Sequence, residues 1–60
     1  MKGTNKTALI IQKNAKTGKT TIITRKVYED KQKRPYVKLG GIYYSLEILI
    51  LEDNEIRIFA

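Results

Sequence analysis

The chain has 60 residues, with twelve Lys or Arg, six Asp or Glu, no His and no Cys, and its formal net charge is +6. A chain this short forms at most one domain and buries only about 60% of the surface that its unfolded form exposes. Without His and Cys it lacks disulfides, the usual zinc ligands, the commonest general base and the thiol nucleophile. We therefore expect a non-enzymatic protein with no cofactor and no metal site.

The first predicted element is a basic β-hairpin. Residues Thr7–Lys13 are apolar and β-branched, as strand residues are. Asn14–Gly18 has the composition of a tight turn, in which Gly18 supplies the positive φ that closes the hairpin. Lys19–Tyr28 is rich in β-branched residues and is predicted to be the returning strand. Residues 1–6 are expected to be a flexible N-terminus.

A second hairpin is predicted in the middle of the chain. Glu29–Pro35 is polar and ends at the only proline, which indicates a loop. Tyr36–Leu39 resumes a strand, and Gly40–Gly41 is a two-residue hairpin signal that leads into Ile42–Tyr44.

The stretch Ser45–Leu51 has two interpretations. An extended strand would continue the preceding one and place alternate apolar residues on one face. A short helical turn would begin at Ser45, because serine is a good N-cap. The enrichment in Ile and Tyr favours the strand. The polar turn Glu52–Glu55 then precedes a last strand that contains Ile56 and Ile58.

Five short strands, with turn signals roughly every ten residues, predict one all-β domain over residues 1–60. The natural packing is a small five-stranded meander that forms an SH3-like or OB-like, partly open barrel. No apolar stretch reaches the roughly 20 residues of a membrane helix. The apolar run that follows the basic N-terminus, Ala8–Ile11, is shorter than the roughly 7–15 apolar residues of a secretory signal. We expect a cytoplasmic protein that does not contact a membrane.

Charge is distributed unevenly along the chain. Residues 1–28 carry seven positive side chains and no acid, residues 29–38 carry a net charge of +2, and residues 39–60 carry −3. One interpretation is that basic and acidic strands pair within one sheet, where opposite charges attract slightly. The other is that the basic residues form a one-sided surface for a polyanion.

The second interpretation predicts a DNA- or RNA-binding protein. Lysines outnumber arginines nine to three, and base-specific contacts favour Arg, so mainly sequence-neutral phosphate contacts are expected. Tyrosines near the cations would stack on bases. A lysine-rich surface also keeps small proteins soluble and stops sheet edges from pairing, which explains the same charge without a ligand. The predicted nucleic-acid-binding residues are Lys13, Lys16, Lys19, Arg25, Lys26, Lys33, Arg34, Tyr36 and Tyr43.

The apolar C-terminal third predicts an alternative function. In the strand interpretation Leu49 and Leu51 lie on one face and their neighbours on the other, and Phe59 faces away from Ile56 and Ile58. One small sheet does not cover both faces unless the barrel wraps tightly. Leu49, Leu51 and Phe59 are therefore predicted interface residues for a homodimer or a protein partner. The chain would then be a protein-interaction module, or a small regulator or inhibitor.

Overall fold

The computed structural model describes residues 1–60 as one antiparallel sheet of five strands with one short helix. The elements are strands β1 (Lys2–Lys13), β2 (Thr20–Glu29), β3 (Pro35–Leu39) and β4 (Ile42–Ser45), helix α1 (Leu46–Leu51) and strand β5 (Glu55–Phe59). The order across the sheet is β4-β3-β2-β1-β5. The first four strands form a meander, and β5 returns to pair with β1. The predicted all-β, five-stranded fold is confirmed, and the sheet is open, with β4 and β5 as its edges.

The turn between β1 and β2 closes through local hydrogen bonds, as predicted. The Asn14 amide donates to the Lys19 carbonyl at 2.8 Å, and the Gly18 amide donates to the Asn14 carbonyl at 2.8 Å. The Asn14 side-chain oxygen also accepts from the Lys16 amide at 2.9 Å. Gly18 has a φ of 71°, which glycine adopts without the steric cost that a side chain would add.

Strand β1 begins at Lys2, five residues before the predicted start at Thr7. The Thr4 hydroxyl donates to the Val27 carbonyl of β2 at 2.7 Å. Residues 2–6, which the sequence predicted to be a flexible N-terminus, therefore lie in a strand. The reason is that the end of β2 pairs Glu29 with Lys2 and Tyr28 with Gly3, across an irregularity in the register between Gly3 and Thr7. No pattern within residues 2–6 discloses this pairing.

The β3–β4 hairpin turns at Gly40 and Gly41, whose φ values are 57° and 82°. Positive φ at both central residues is the requirement of a type I′ turn, the connection whose twist matches that of the flanking strands. The predicted two-residue turn is confirmed.

Residues 46–51 form a helix, so the strand interpretation that the sequence favoured is wrong. Ser45 is the N-cap, and its hydroxyl oxygen accepts from the Glu47 amide at 3.2 Å. Leu46 and Leu49 are three residues apart and share one side of the helix, and both are buried. The burial of these two leucines outweighs the β propensity of the intervening residues.

The hydrophobic core is small and lies on one face of the sheet, here called the inner face. Its six buried residues are Ala8, Ile10, Val27, Val37, Leu46 and Leu49. Helix α1 covers the inner face and contacts β3, β4 and β5. The opposite face, here called the outer face, has no helix on it. No helix in the structure has both the length and the apolar character needed to cross a membrane.

The helix places two of the predicted interface residues, Leu49 and Leu51, in different environments. Leu49 is 3% exposed and packs in the core, so its assignment as an interface residue is wrong. Leu51 is 83% exposed and Phe59 is also at the surface. Leu49 and Leu51 do not share a face, because two residues along a helix rotate a side chain by about 200° rather than returning it to the same side.

Candidate nucleic-acid interface

Strand alternation and the cross-strand register place three tyrosines and two lysines together on the outer face. Tyr28 of β2 is opposite Tyr36 of β3, and Lys38 of β3 is opposite Tyr43 of β4. Residues directly opposite one another point to the same side, as do residues two apart on one strand. Lys26, two residues before Tyr28, therefore joins the set. These five residues are called the tyrosine–lysine cluster below.

Two tyrosine rings pack against each other in the centre of the cluster. The ring centroids of Tyr28 and Tyr43 are 5.3 Å apart and the ring planes are at 81°, an edge-to-face arrangement. Tyr43 thus reaches across β3 to meet a residue of β2. Aromatic pairs of this geometry contribute about 0.5–1.5 kcal/mol beyond their burial. The pair is held in place while Tyr43 remains 38% exposed.

A lysine ammonium lies beside each ring of this pair. Lys26 Nζ is 5.9 Å from the Tyr28 centroid, and Lys38 Nζ is 5.4 Å from the Tyr43 centroid. Both distances are within the range of cation–π attraction. The two ion pairs of the chain involve other residues. Neither ammonium is therefore neutralised by a carboxylate, and each lies beside a tyrosine ring of the outer face.

Gly3 leaves the space that the Lys26 side chain occupies. Gly3 is opposite Tyr28 in the β1–β2 register. A Cβ at position 3 would lie 2.8 Å from Lys26 Cε and 2.9 Å from Nζ. The lysine stem therefore crosses the bare backbone of β1 at this point, which brings its ammonium beside the tyrosine.

Five of the six remaining predicted cations fall into two groups at opposite ends of the molecule. Lys13, Lys16 and Lys19 lie around the β1–β2 turn, whereas Lys33 and Arg34 lie in the loop between β2 and β3. The ten residues of β2 separate the groups, a distance of about 30 Å at the usual rise of a strand. The structure does not bring these cations together.

Arg34 is held within its own loop by Asp30. Arg34 Nε donates to Asp30 Oδ2 at 2.9 Å, and Asp30 Oδ1 accepts from the Arg34 amide at 2.9 Å and from the Gln32 amide at 2.8 Å. The Arg34 amide is the main cause that lowers the pKa of Asp30 from its ordinary value. The bonded carboxylate in turn raises the pKa of Arg34. This guanidinium is already paired, unlike the two lysines of the cluster.

Arg25 and Lys26 are adjacent in sequence but face opposite sides of β2. Arg25 is the register partner of Ala8, a core residue of the inner face. The sequence prediction grouped the two cations because they are adjacent in the chain. Strand alternation places them on opposite faces of the sheet. The Arg25 guanidinium donates to the Thr24 carbonyl at 2.8 Å, and its side chain lies on the face opposite the cluster.

The sequence prediction included three members of the cluster, Lys26, Tyr36 and Tyr43, and missed Tyr28 and Lys38. The sequence contains a spacing that could have identified both residues. Tyr28 is two residues from Lys26, and Lys38 is two residues from Tyr36, so each shares a face with a predicted residue. The sequence does not contain the cross-strand register, which places the residue pair of β2 beside the residue pair of β3 on the outer face.

The structure contains one further candidate site, a surface pocket of about 530 Å³ between the N-terminus and the β2–β3 loop. The pocket is lined by Met1 and five charged residues. No group of three or more Asp and Glu side chains is placed to hold a metal ion.

Comparisons of the chain with protein families, with curated proteins and with solved structures find no match.

Proposed function

We propose that the protein binds nucleic acid with little sequence preference, through the outer face of its sheet. The observation that supports this most is the pair of uncompensated lysine ammoniums beside the packed rings of Tyr28 and Tyr43. In the proposed complex Lys26 and Lys38 neutralise phosphates, and bases stack on Tyr36 and Tyr43. Stacking of a base on an aromatic side chain is worth about 1–3 kcal/mol and tolerates every base.

A single strand is the preferred ligand in this proposal. The tyrosines offer ring surface on an open sheet rather than side chains on a projecting helix. In a duplex the base faces are stacked inside the helix and do not reach such a surface, whereas unpaired bases do. Lysine, a point charge without the fork geometry of Arg, suits backbone contacts that ignore sequence.

The basic β1–β2 hairpin extends the same surface. Lys13 is six residues from Thr7, the register partner of Lys26, so strand alternation places it on the outer face as well. Lys16 and Lys19 follow in the turn. A strand of nucleic acid that runs from the cluster along β2 towards the turn would meet these cations next. The net charge of +6 adds a general attraction to polyanions.

We expect Tyr43→Ala to weaken binding of a single-stranded oligonucleotide by about tenfold or more, because it removes one stacking surface. Tyr43→Phe keeps the ring and is expected to bind within about twofold of the unsubstituted protein. Fluorescence anisotropy with a labelled oligonucleotide measures both, and melting curves verify that each variant is folded. An affinity unchanged in Tyr43→Ala, or reduced equally in both variants, would contradict stacking at this ring.

A further inference from the structure

The chain exposes more surface than a folded monomer of its mass. Its accessible surface is 4703 Å², whereas a monomer of 6.9 kDa typically exposes about 4,000 Å². The excess of about 700 Å² is close to the roughly 800 Å² that each partner contributes to a standard protein interface. The exposed residues of the β1–β2 turn contribute to this excess, but they are mostly polar. Nine large hydrophobic side chains are exposed as well, compared with six residues buried.

More than half of the exposed apolar side chains belong to two neighbouring elements of the fold. Helix α1 and strand β5 contact each other and carry five of the nine, which are Ile48, Ile50, Leu51, Ile58 and Phe59. Strand β5 is an edge of the sheet, so one side of its backbone offers unpaired N–H and C=O groups that can accept another strand. Strand β5 therefore combines an unpaired backbone edge with two exposed apolar side chains, Ile58 and Phe59.

We propose that β5 pairs antiparallel with β5 of a second copy of this chain, about a two-fold axis normal to the sheet. This pairing joins two five-stranded sheets into one of ten strands and closes a symmetric dimer, the commonest oligomer of soluble proteins. It is separate from the tyrosine–lysine cluster, which lies on β2, β3 and β4. A two-fold axis in this direction keeps both inner faces on one side. Residues that face each other across it are therefore an even number apart in sequence.

Charge selects the register of this pairing. Centring the axis on Glu55 places two glutamates opposite each other, and centring it on Arg57 places two arginines opposite each other. Centring it on Ile56 places Glu55 opposite the partner's Arg57, and the symmetric pair repeats the contact. Opposite charges directly across a strand pair are favourable and like charges are unfavourable. The register centred on Ile56 is therefore the one that we assign.

The groups needed for this register are accessible in the isolated chain. Arg57 and Glu55 form an ion pair at 3.2 Å within β5, and their side chains are 64% and 61% exposed, so each is free to exchange its partner. Ile58 lies on the inner face beside the core, since it is the register partner of Ala8. Phe59 lies on the outer face, so the edge strand carries one exposed apolar side chain on each side of the sheet.

Strand β4, at the opposite end of the strand order, is a poorer partner for β5. Strand β4, with the sequence Ile-Tyr-Tyr-Ser, has no charged residue to face Glu55 or Arg57. Pairing of β5 with β4 of the next molecule would also be head-to-tail, and contacts of that type produce open assemblies unless the rotation closes a ring. Pairing of β5 with β5 of a second copy meets the charge pattern of the strand and closes the assembly.

Sedimentation equilibrium over a series of protein concentrations, without nucleic acid, tests this dimer. We expect the unsubstituted chain to reach twice its monomer mass. Arg57→Glu sets carboxylates against carboxylates in both cross-strand pairs, and we expect it to raise the dissociation constant of the dimer by about tenfold. The double variant Glu55→Arg, Arg57→Glu restores opposite charges and is expected to dimerise within about threefold of the unsubstituted chain. Circular dichroism checks that both variants are folded.

Three results would overturn the proposal. The first is a monomeric mass for the unsubstituted chain up to the highest concentration reached. The second is an equal dissociation constant for Arg57→Glu and for the double variant, which would show that these charges do not face each other. The third is an open series of larger assemblies, which would indicate pairing of β5 with β4. Tyr43→Ala serves as a matched control, because it lies off this edge and is expected to leave the dimer unchanged.

Discussion

We expect Leu49→Ala to unfold the protein, whereas Leu51→Ala on the same helix leaves its stability within about 0.5 kcal/mol of the original. Leu49 is 3% exposed and Leu51 is 83% exposed. Truncation of a buried leucine to alanine costs about 2–5 kcal/mol, and a core in a chain of this size rarely supplies more than about 3–5 kcal/mol of stability. Truncation of Leu49 therefore removes most or all of the free energy that stabilises the fold. Urea titration followed by circular dichroism measures the free energy of unfolding of both variants.

The two substitutions form a matched pair because they remove the same atoms from residues that are two positions apart. A strand would place Leu49 and Leu51 on one face and predict similar effects. The helix places only Leu49 against the core. Similar free energies of unfolding for the two variants, whether both low or both high, would contradict the helical packing described above.

The double variant Lys26→Gln, Lys38→Gln is expected to bind single-stranded nucleic acid at least tenfold more weakly at low salt. Each phosphate contact on a single strand contributes about −0.7 to the slope of log K against log[salt], so loss of two contacts should reduce that slope by about 1.4. Both lysines lie on the tyrosine–lysine cluster and neither has a carboxylate partner. Anisotropy titrations at several salt concentrations provide the affinity and the slope together.

The control for this prediction removes the same charge elsewhere. Lys2 and Lys31 line the pocket between the N-terminus and the β2–β3 loop, away from the cluster. Lys2→Gln, Lys31→Gln lowers the net charge by the same amount, and we expect a smaller loss of affinity and a smaller change in slope. Equal losses in the two double variants would show that net charge, and not the cluster, determines binding.

The hairpins were predictable from the sequence because their turns are determined locally. Asn14 closes the first turn with its own side chain and carbonyl. Gly40 and Gly41 adopt the positive φ values that a two-residue turn demands. In both turns the residues that select the conformation lie within the turn itself, so a short window of sequence contains the information.

The helix was not predictable with the same security, because two local signals conflicted. Ser45 favours a helix start, while the Ile-rich stretch after it favours a strand. A helix of six residues has little stability of its own. The burial of Leu46 and Leu49 against residues from β1, β2 and β3 decides between the two, and that packing is a property of the whole fold.

The candidate interface was predictable only in part, for a related reason. Lys26, Tyr36 and Tyr43 belong to it and were predicted, but Tyr28 and Lys38 were not. Face assignment within one strand follows from alternation. Assignment across strands depends on the register, such as Lys38 opposite Tyr43, which loop geometry and packing fix together.

Binding of the unsubstituted protein to a single-stranded oligonucleotide across a range of salt concentrations tests the proposed function most directly. The tyrosine–lysine cluster predicts measurable binding at low salt, with log K falling linearly as log[salt] rises and a slope of about −1.4 or steeper for two or more phosphate contacts. It also predicts weaker binding of the duplex of the same sequence. No binding at low salt, or an affinity that does not change with salt, would contradict the account.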